Sequence, residues 1–146
     1  MALPDFSETG DLPCGVHQAS LSETVARFGT GSDRRRLLAL RLERIHRLAW
    51  QTGHLARFVV FGSFVTDKDE PNDVDVFMIM DDNFDVASLV GEVRLLFHHS
   101  AAQDHFGCSV FWIRRLAAIG GEQGAIEDWQ VKRDGAKRGI VEITGA

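Results

Sequence analysis

The chain has 146 residues and a formal net charge of −5, with ordinary apolar (45%) and charged (25%) fractions. A chain of this length forms one domain and buries enough apolar surface to fold without disulfides or metals. Its acidic balance gives no general attraction to nucleic acid. The composition favours a single globular domain. Nucleic acid is an unlikely partner, although the clustered arginines leave it as an alternative.

Cysteine usage and hydropathy bear on location. Cys14 and Cys108 lie far apart and form no metal-binding motif, which is typical of a reducing cytoplasm. The first residues have neither the basic segment nor the apolar core of a signal peptide. No apolar run approaches the ~20 residues of a membrane span. We expect a cytoplasmic protein with no membrane partner.

Residues 1–31 carry repeated proline and glycine punctuation, which predicts irregular structure. Their many apolar side chains predict an N-terminal arm that packs over the domain of residues 32–146. Ser20 or Ser22 begins a helical turn or two within this arm. The expected division is therefore an arm followed by one compact domain.

The domain begins with its clearest helix. Ser32 and Asp33 provide a start signal, and Gly53 is placed to end the helix in a left-handed cap. An apolar stripe repeats at helical spacing. Its members are Leu38, Leu42, Ile45 and Ala49. The arginines at 34–36 are typical of a solvated face, with a phosphate or acidic partner as the alternative.

The remaining elements follow from apolar runs between turn signals. Residues 74–80 form a near-continuous apolar run, which predicts a strand buried on both faces. The other predicted elements are strands at 56–61, 108–113 and 139–144, a helix from Asp85, a short helix at 125–130 and a turn at Asp134-Gly135.

The stretch between the first two strands carries the chemistry. Gly62 lets the backbone turn sharply, and the N–H groups after it and the Ser63 hydroxyl are donors for an anion. Lys68 lies in the following loop and is a further candidate for a phosphate. Residues 62–72 therefore predict a phosphate-binding turn.

Asp73 and Asp75 precede and begin the buried strand, where alternation points both side chains the same way. At roughly 6 Å and an effective dielectric near 20, their charges repel by about 3 kcal/mol. Either one carboxylate takes up a proton or a cation lies between them. Oxygen ligands favour Mg²⁺ or Mn²⁺ over zinc. Phosphate on the turn and metal on the pair is the layout of phosphoryl or nucleotidyl transfer.

Gly62-Ser63 followed by Asn72-Asp73-Val74-Asp75-Val76 resembles the signature of the DNA polymerase β-type nucleotidyltransferases, in particular their minimal bacterial members. The chain also resembles an uncharacterised bacterial nucleotidyltransferase-like family over nearly its whole length. That likeness includes residues 12–17, 28–29, 62–66 and 132–141.

The resemblance implies an α+β fold, a small mixed sheet flanked by helices. It implies transfer of a nucleoside monophosphate from an NTP with Mg²⁺ to an unknown acceptor. Gly62 and Ser63 would contact the triphosphate, and Asp73 and Asp75 would be the catalytic metal ligands. The superfamily adds a third carboxylate on a neighbouring strand. The strand at 107–112 has no acid, so Asp104 is the candidate substitute.

Two further hypotheses follow. Without a third carboxylate, binding of nucleotide survives where turnover fails. The alternative function is therefore a catalytically reduced domain that binds a protein partner encoded nearby, as an antitoxin-like or regulatory module.

A turn bracketed by basic residues is typical of a solvated hairpin, or of a cationic flap over nucleotide phosphates or a nucleic-acid acceptor. Its basic residues are Lys132, Arg133, Lys137 and Arg138.

Overall fold

The computed structural model describes residues 3–145. Ten regular elements follow one another along this part of the chain. They are β1 (Val16–Ala19), α1 (Leu21–Phe28), α2 (Asp33–Gln51), β2 (Leu55–Phe61), β3 (Val74–Met80), α3 (Glu92–Leu95), α4 (His99–Phe106), β4 (Cys108–Arg114), α5 (Glu122–Glu127) and β5 (Ile140–Ile143). Single 3-10 turns at 63–65, 86–88, 115–117 and 128–130 join them.

The strands form one mixed sheet in the order β1-β5-β2-β3-β4. β2 pairs antiparallel with both β3 and β5, whereas β1–β5 and β3–β4 are parallel pairs. The predicted α+β class, a small mixed sheet flanked by helices, is confirmed. Because β2 and β3 run in opposite directions, the end of β2 and the start of β3 meet at one edge of the sheet.

The helix predicted from Ser32 is confirmed. The Ser32 side chain caps α2 by accepting a hydrogen bond from the Arg35 N–H, and Gly53 adopts a positive φ of 75° just beyond the helix. The predicted apolar stripe is fully buried. This stripe packs on one face of the sheet, where it meets Phe58, Val60 and Val76 in the main core.

The other face of the sheet carries a second, smaller apolar cluster. Val59, Phe61, Phe77 and Ile79 form it, and α5 covers it with Ile126. Trp129 packs on this face in a tilted arrangement, with its ring centroid 4.5 Å from that of Phe61 and 5.1 Å from that of Phe77. Side-chain alternation along β3 places Asp75 on the same face as Phe77. The second face therefore leads directly to the carboxylates.

Two predicted elements differ from the structure. The arm was expected to be irregular, but Val16–Ala19 form an edge strand that pairs with β5. A four-residue strand carries too little periodicity to be seen, and its partner lies at the other end of the chain. The helix expected from Asp85 is broken into a 3-10 turn, α3 and α4. Gly91, with a φ of 77°, interrupts it.

Candidate functional site

The turn after β2 depends on Gly62. Its φ of 82° and ψ of −165° lie in a region that residues with a Cβ rarely adopt. A Cβ at this position would lie 2.0 Å from Oδ2 of Asp75. Ser63 then begins a single 3-10 turn whose first N–H groups have no partner within the turn. The turn and the Asp75 carboxylate are therefore in direct contact.

Asp73 and Asp75 lie together at the start of β3. Asp75 is opposite Phe61 in the antiparallel register, one residue before the Gly62 turn. Burial, the charge of Asp73 and a hydrogen bond between the two carboxyl groups together raise the pKa of Asp75 to about 7, with burial the largest cause. Such a pair holds a proton or a cation between its oxygens near neutral pH. The close contact of the two carboxyl groups agrees with the sequence interpretation that a proton or a cation must offset their repulsion.

Ser109 completes the immediate surroundings of the pair. It is beside Asp75 in the parallel register of β3 and β4. Its hydroxyl donates a hydrogen bond to Oδ2 of Asp73 at 3.0 Å. The strand that would supply a third carboxylate therefore presents a serine at this position. The sequence offered no signal for Ser109, because its role depends on the register of two strands far apart in the chain.

Asp104 does not lie next to the Asp73–Asp75 pair. It lies exposed on α4 and lines a separate cavity of about 370 Å³ together with Arg41 and Arg44. Within residues 3–145, no three His, Cys, Asp or Glu side chains gather as a group that could hold a metal ion. The described site thus contains two carboxylates, and Asp104 faces arginines instead.

Lys68 lies exposed in the loop after the turn, and its backbone carbonyl is a partner of Arg35. Arg35 is a residue that sequence reasoning missed. Its guanidinium donates hydrogen bonds to the carbonyls of Phe28, Phe64, Thr66 and Lys68. Only 7% of Arg35 is exposed. This buried arginine holds the backbone that follows Gly62-Ser63.

Burial lowers the pKa of the Arg35 guanidinium, while the nearby Asp67, Asp69 and Glu70 raise it. The interpretation of residues 34–36 as a solvated face is wrong for Arg35. The available signal was its position in the first turn of a helix, where the macrodipole disfavours a cation that has no other partner.

The arginines that cluster between residues 27 and 57 of the sequence do not all face one surface as free charges. Arg57 makes a bidentate ion pair with Glu142 on β5, Arg44 pairs with Glu92, and Arg27 lies over the Phe6 ring. Several of these charges are therefore used within the fold. Phe61, Phe64 and Phe77 are buried, whereas Phe111 is 37% exposed.

The fold and the site define a small α+β protein with a carboxylate pair set against a glycine turn at one edge of its sheet. The chain belongs to the DUF6932 family, a family of unknown function, whose profile matches residues 4–144. Comparison with curated proteins and with solved structures finds no match. Among residues 3–145, no helix has both the length and the hydropathy needed to cross a membrane.

Proposed function

We propose that this protein binds an NTP together with Mg²⁺ and transfers its nucleoside monophosphate to an acceptor, as a minimal nucleotidyltransferase. One observation carries the proposal: the Asp75 carboxylate lies against Gly62, so the carboxylate pair and the phosphate-binding turn form one half-buried site. Both halves of the chemistry that nucleotidyl transfer needs are adjacent. Catalysis of this kind depends on positioning and charge neutralisation.

The residues present fit a divalent cation. The two carboxyl groups are close enough to hydrogen-bond to each other, so oxygens of both can contact one cation. Mg²⁺ commonly binds through one or two carboxylates and completes its shell with waters and substrate phosphates. Asp73 and Asp75 would hold Mg²⁺ or Mn²⁺, and the bound ion would neutralise charge on the phosphates. Ser109 orients Asp73 by its hydrogen bond.

The turn supplies the phosphate contacts in this proposal. The backbone of Gly62 and Ser63 and the Ser63 hydroxyl donate to the triphosphate, and Lys68 contributes a positive charge from the loop. Arg35 positions this backbone from below through its four carbonyl contacts. The acceptor is an unidentified nucleophile, such as a hydroxyl group, at the open side of the pair.

Calorimetry tests the proposal. Each NTP is titrated into the full chain with and without Mg²⁺, and the titration is repeated on the double variant Asp73→Asn with Asp75→Asn. We expect Mg²⁺-dependent binding in the wild type and its loss in the double variant. Release of pyrophosphate in the presence of candidate acceptors then reports transfer. Equal binding by the two proteins would refute the proposal.

Ser109 favours a second candidate function. With a serine where a third carboxylate belongs, the site keeps nucleotide binding and loses turnover. The protein would then act as an antitoxin-like or regulatory module bound to a protein encoded nearby. Leu37 and Leu40 on α2, 44% and 64% exposed, are apolar groups that such a partner would cover. Co-expression with the neighbouring gene product supports this role if the two co-purify and no pyrophosphate is released.

A cytoplasmic location completes the proposal. Cys14 is exposed and free, and Cys108 is buried and free, which suits a reducing compartment. Nucleic acid is disfavoured as a partner because the net charge is −5 and several arginines are committed to internal contacts. Retention on heparin at physiological salt would revive it.

A further inference from the structure

The backbone of Arg138 is hydrogen-bonded and closely packed near the carboxylate pair. Its backbone N–H donates to the carbonyl of Gln130 at 2.8 Å. The next residue, Gly139, packs so closely that a Cβ there would lie 2.2 Å from the carbonyl oxygen of Pro13. The backbone around Arg138 is therefore fixed on both sides, at the point where the hairpin of residues 131–137 enters β5.

The Arg138 side chain reaches the second face of the sheet. Its guanidinium carbon lies 5.8 Å from the ring centroid of Phe61, the residue that precedes the Gly62 turn and faces Asp75 in the register. The Trp129 ring also packs against Phe61, with the two ring centroids 4.5 Å apart. The positive charge of Arg138 acts on Asp75 and opposes the rise of its pKa.

Apart from the Phe61 ring and the charge of Asp75, the guanidinium has no hydrogen-bonding partner in the described part of the chain. Its Nε is buried and unbonded, and within the described part of the chain the side chain makes no hydrogen bond or ion pair. Arg138 is half-buried, and a buried N–H such as its Nε is normally paired, because an unsatisfied donor loses its hydration without compensation. Lys132 on the same hairpin shows the ordinary outcome, since it pairs with Asp11 at 2.7 Å. The Arg138 guanidinium thus has a positive charge and N–H donors available near the Asp73–Asp75 pair.

We propose that Arg138 binds a phosphate group of the ligand, next to the carboxylate pair and the Gly62 turn. A planar guanidinium donates two parallel hydrogen bonds to phosphate, which gives both affinity and orientation. The anion site itself stands on the position and unpaired donors of Arg138. Its identification with the phosphates of an NTP rests on the proposed function.

Calorimetry with inorganic tripolyphosphate isolates this site from nucleotide recognition. We expect the full-length wild type to bind tripolyphosphate with Mg²⁺ present. Arg138→Gln should weaken binding about tenfold or more, because a charge-assisted pair is lost, and Arg138→Lys should retain part of the affinity. Arg133→Gln, an exposed change on the same hairpin, should bind as the wild type does. Circular dichroism confirms that each variant is folded.

The same variants with Mg²⁺-ATP separate this inference from the proposed function. If Arg138→Gln loses tripolyphosphate binding and the wild type binds no NTP, the anion site stands and nucleotidyl transfer fails. If Mg²⁺-ATP binding depends on Asp73 and Asp75 but Arg138→Gln binds ATP and tripolyphosphate as tightly as the wild type, the role of Arg138 is refuted. A wild type that binds neither ligand refutes both.

Discussion

The carboxylate of Asp75 lies directly against the Cα of Gly62, and a Cβ on residue 62 would come within 2.0 Å of Oδ2. This contact links the end of β2 to the start of β3. It also makes the glycine necessary for two separate reasons, its positive φ and the space that its missing side chain leaves for the carboxylate.

Gly62→Ala tests this contact. A positive φ of 82° with a ψ of −165° alone costs an alanine about 1–3 kcal/mol, and the clash with Asp75 adds to that cost. We expect the free energy of unfolding to fall by about 2 kcal/mol or more and Mg²⁺-NTP binding to be lost. Gly53→Ala is the matched control, because Gly53 has a similar φ of 75° and nothing within 4 Å of its added Cβ. Equal losses in the two variants would show that the carboxylate contact is unimportant.

Asp75→Asn should stabilise the metal-free protein at alkaline pH. The folded state keeps the Asp75 proton up to about pH 7, whereas the unfolded chain releases it near the ordinary value of 3.8. The free energy of unfolding therefore falls as pH rises through this window, and the cost is fully present above it. At pH 8 with EDTA we expect the variant to gain about 1–3 kcal/mol.

The measurement is urea unfolding from pH 5 to pH 8, with the exposed change Asp104→Asn as the control. At pH 8 the wild type should be stabilised by Mg²⁺, and Asp75→Asn should not respond. A variant that is less stable than the wild type at pH 8 would contradict the paired arrangement of the carboxylates.

Ser109→Asp should create the missing third carboxylate. Residue 109 is beside Asp75 in the register, and its side chain already contacts Asp73. A third acidic ligand raises the affinity for a divalent cation, and we expect about a tenfold gain for Mn²⁺. Ser109→Asn provides the uncharged control. Calorimetry or the paramagnetic signal of free Mn²⁺ measures the change, and unchanged Mn²⁺ affinity in Ser109→Asp would place the metal elsewhere.

Arg35→Met should detach the loop that follows the turn. The change leaves four carbonyls without their donor, which we expect to cost about 2–4 kcal/mol of unfolding free energy and to weaken NTP binding. Arg36→Met is the comparison, since the Arg36–Asp33 pair is exposed to solvent and contributes little to stability. Similar stability of the two variants would refute a positioning role for Arg35.

Local patterns in the sequence predicted much of this fold. The strand at 74–80 has the bounds that its apolar run indicated, and only Asp75 within it is partly exposed. The helix from Ser32 to Gly53 follows from a cap, a stripe and a terminal glycine. Each of these features depends on residues that are neighbours in the chain, which is why the sequence alone revealed them.

The features that escaped prediction depend on distant parts of the chain. β1 exists because β5 offers it an edge, and residues 16 and 140 become neighbours only in the fold. Arg35 gathers carbonyls from residues 28 to 68, and no spacing rule encodes such a set. The strand register that places Ser109 next to Asp73 is likewise set by tertiary structure. Nucleotide and metal binding remain predictions.

Amide chemical shifts of the ¹⁵N-labelled protein test the central claim most directly. Adding ATP with Mg²⁺ should give saturable shifts that are largest at Gly62, Ser63 and Phe64 and near Asp75. The double variant Asp73→Asn with Asp75→Asn should show none of them. No saturable shift in the wild type, or shifts that centre on Arg41 and Arg44 and persist in the double variant, would contradict a nucleotide site at the Gly62–Asp75 contact.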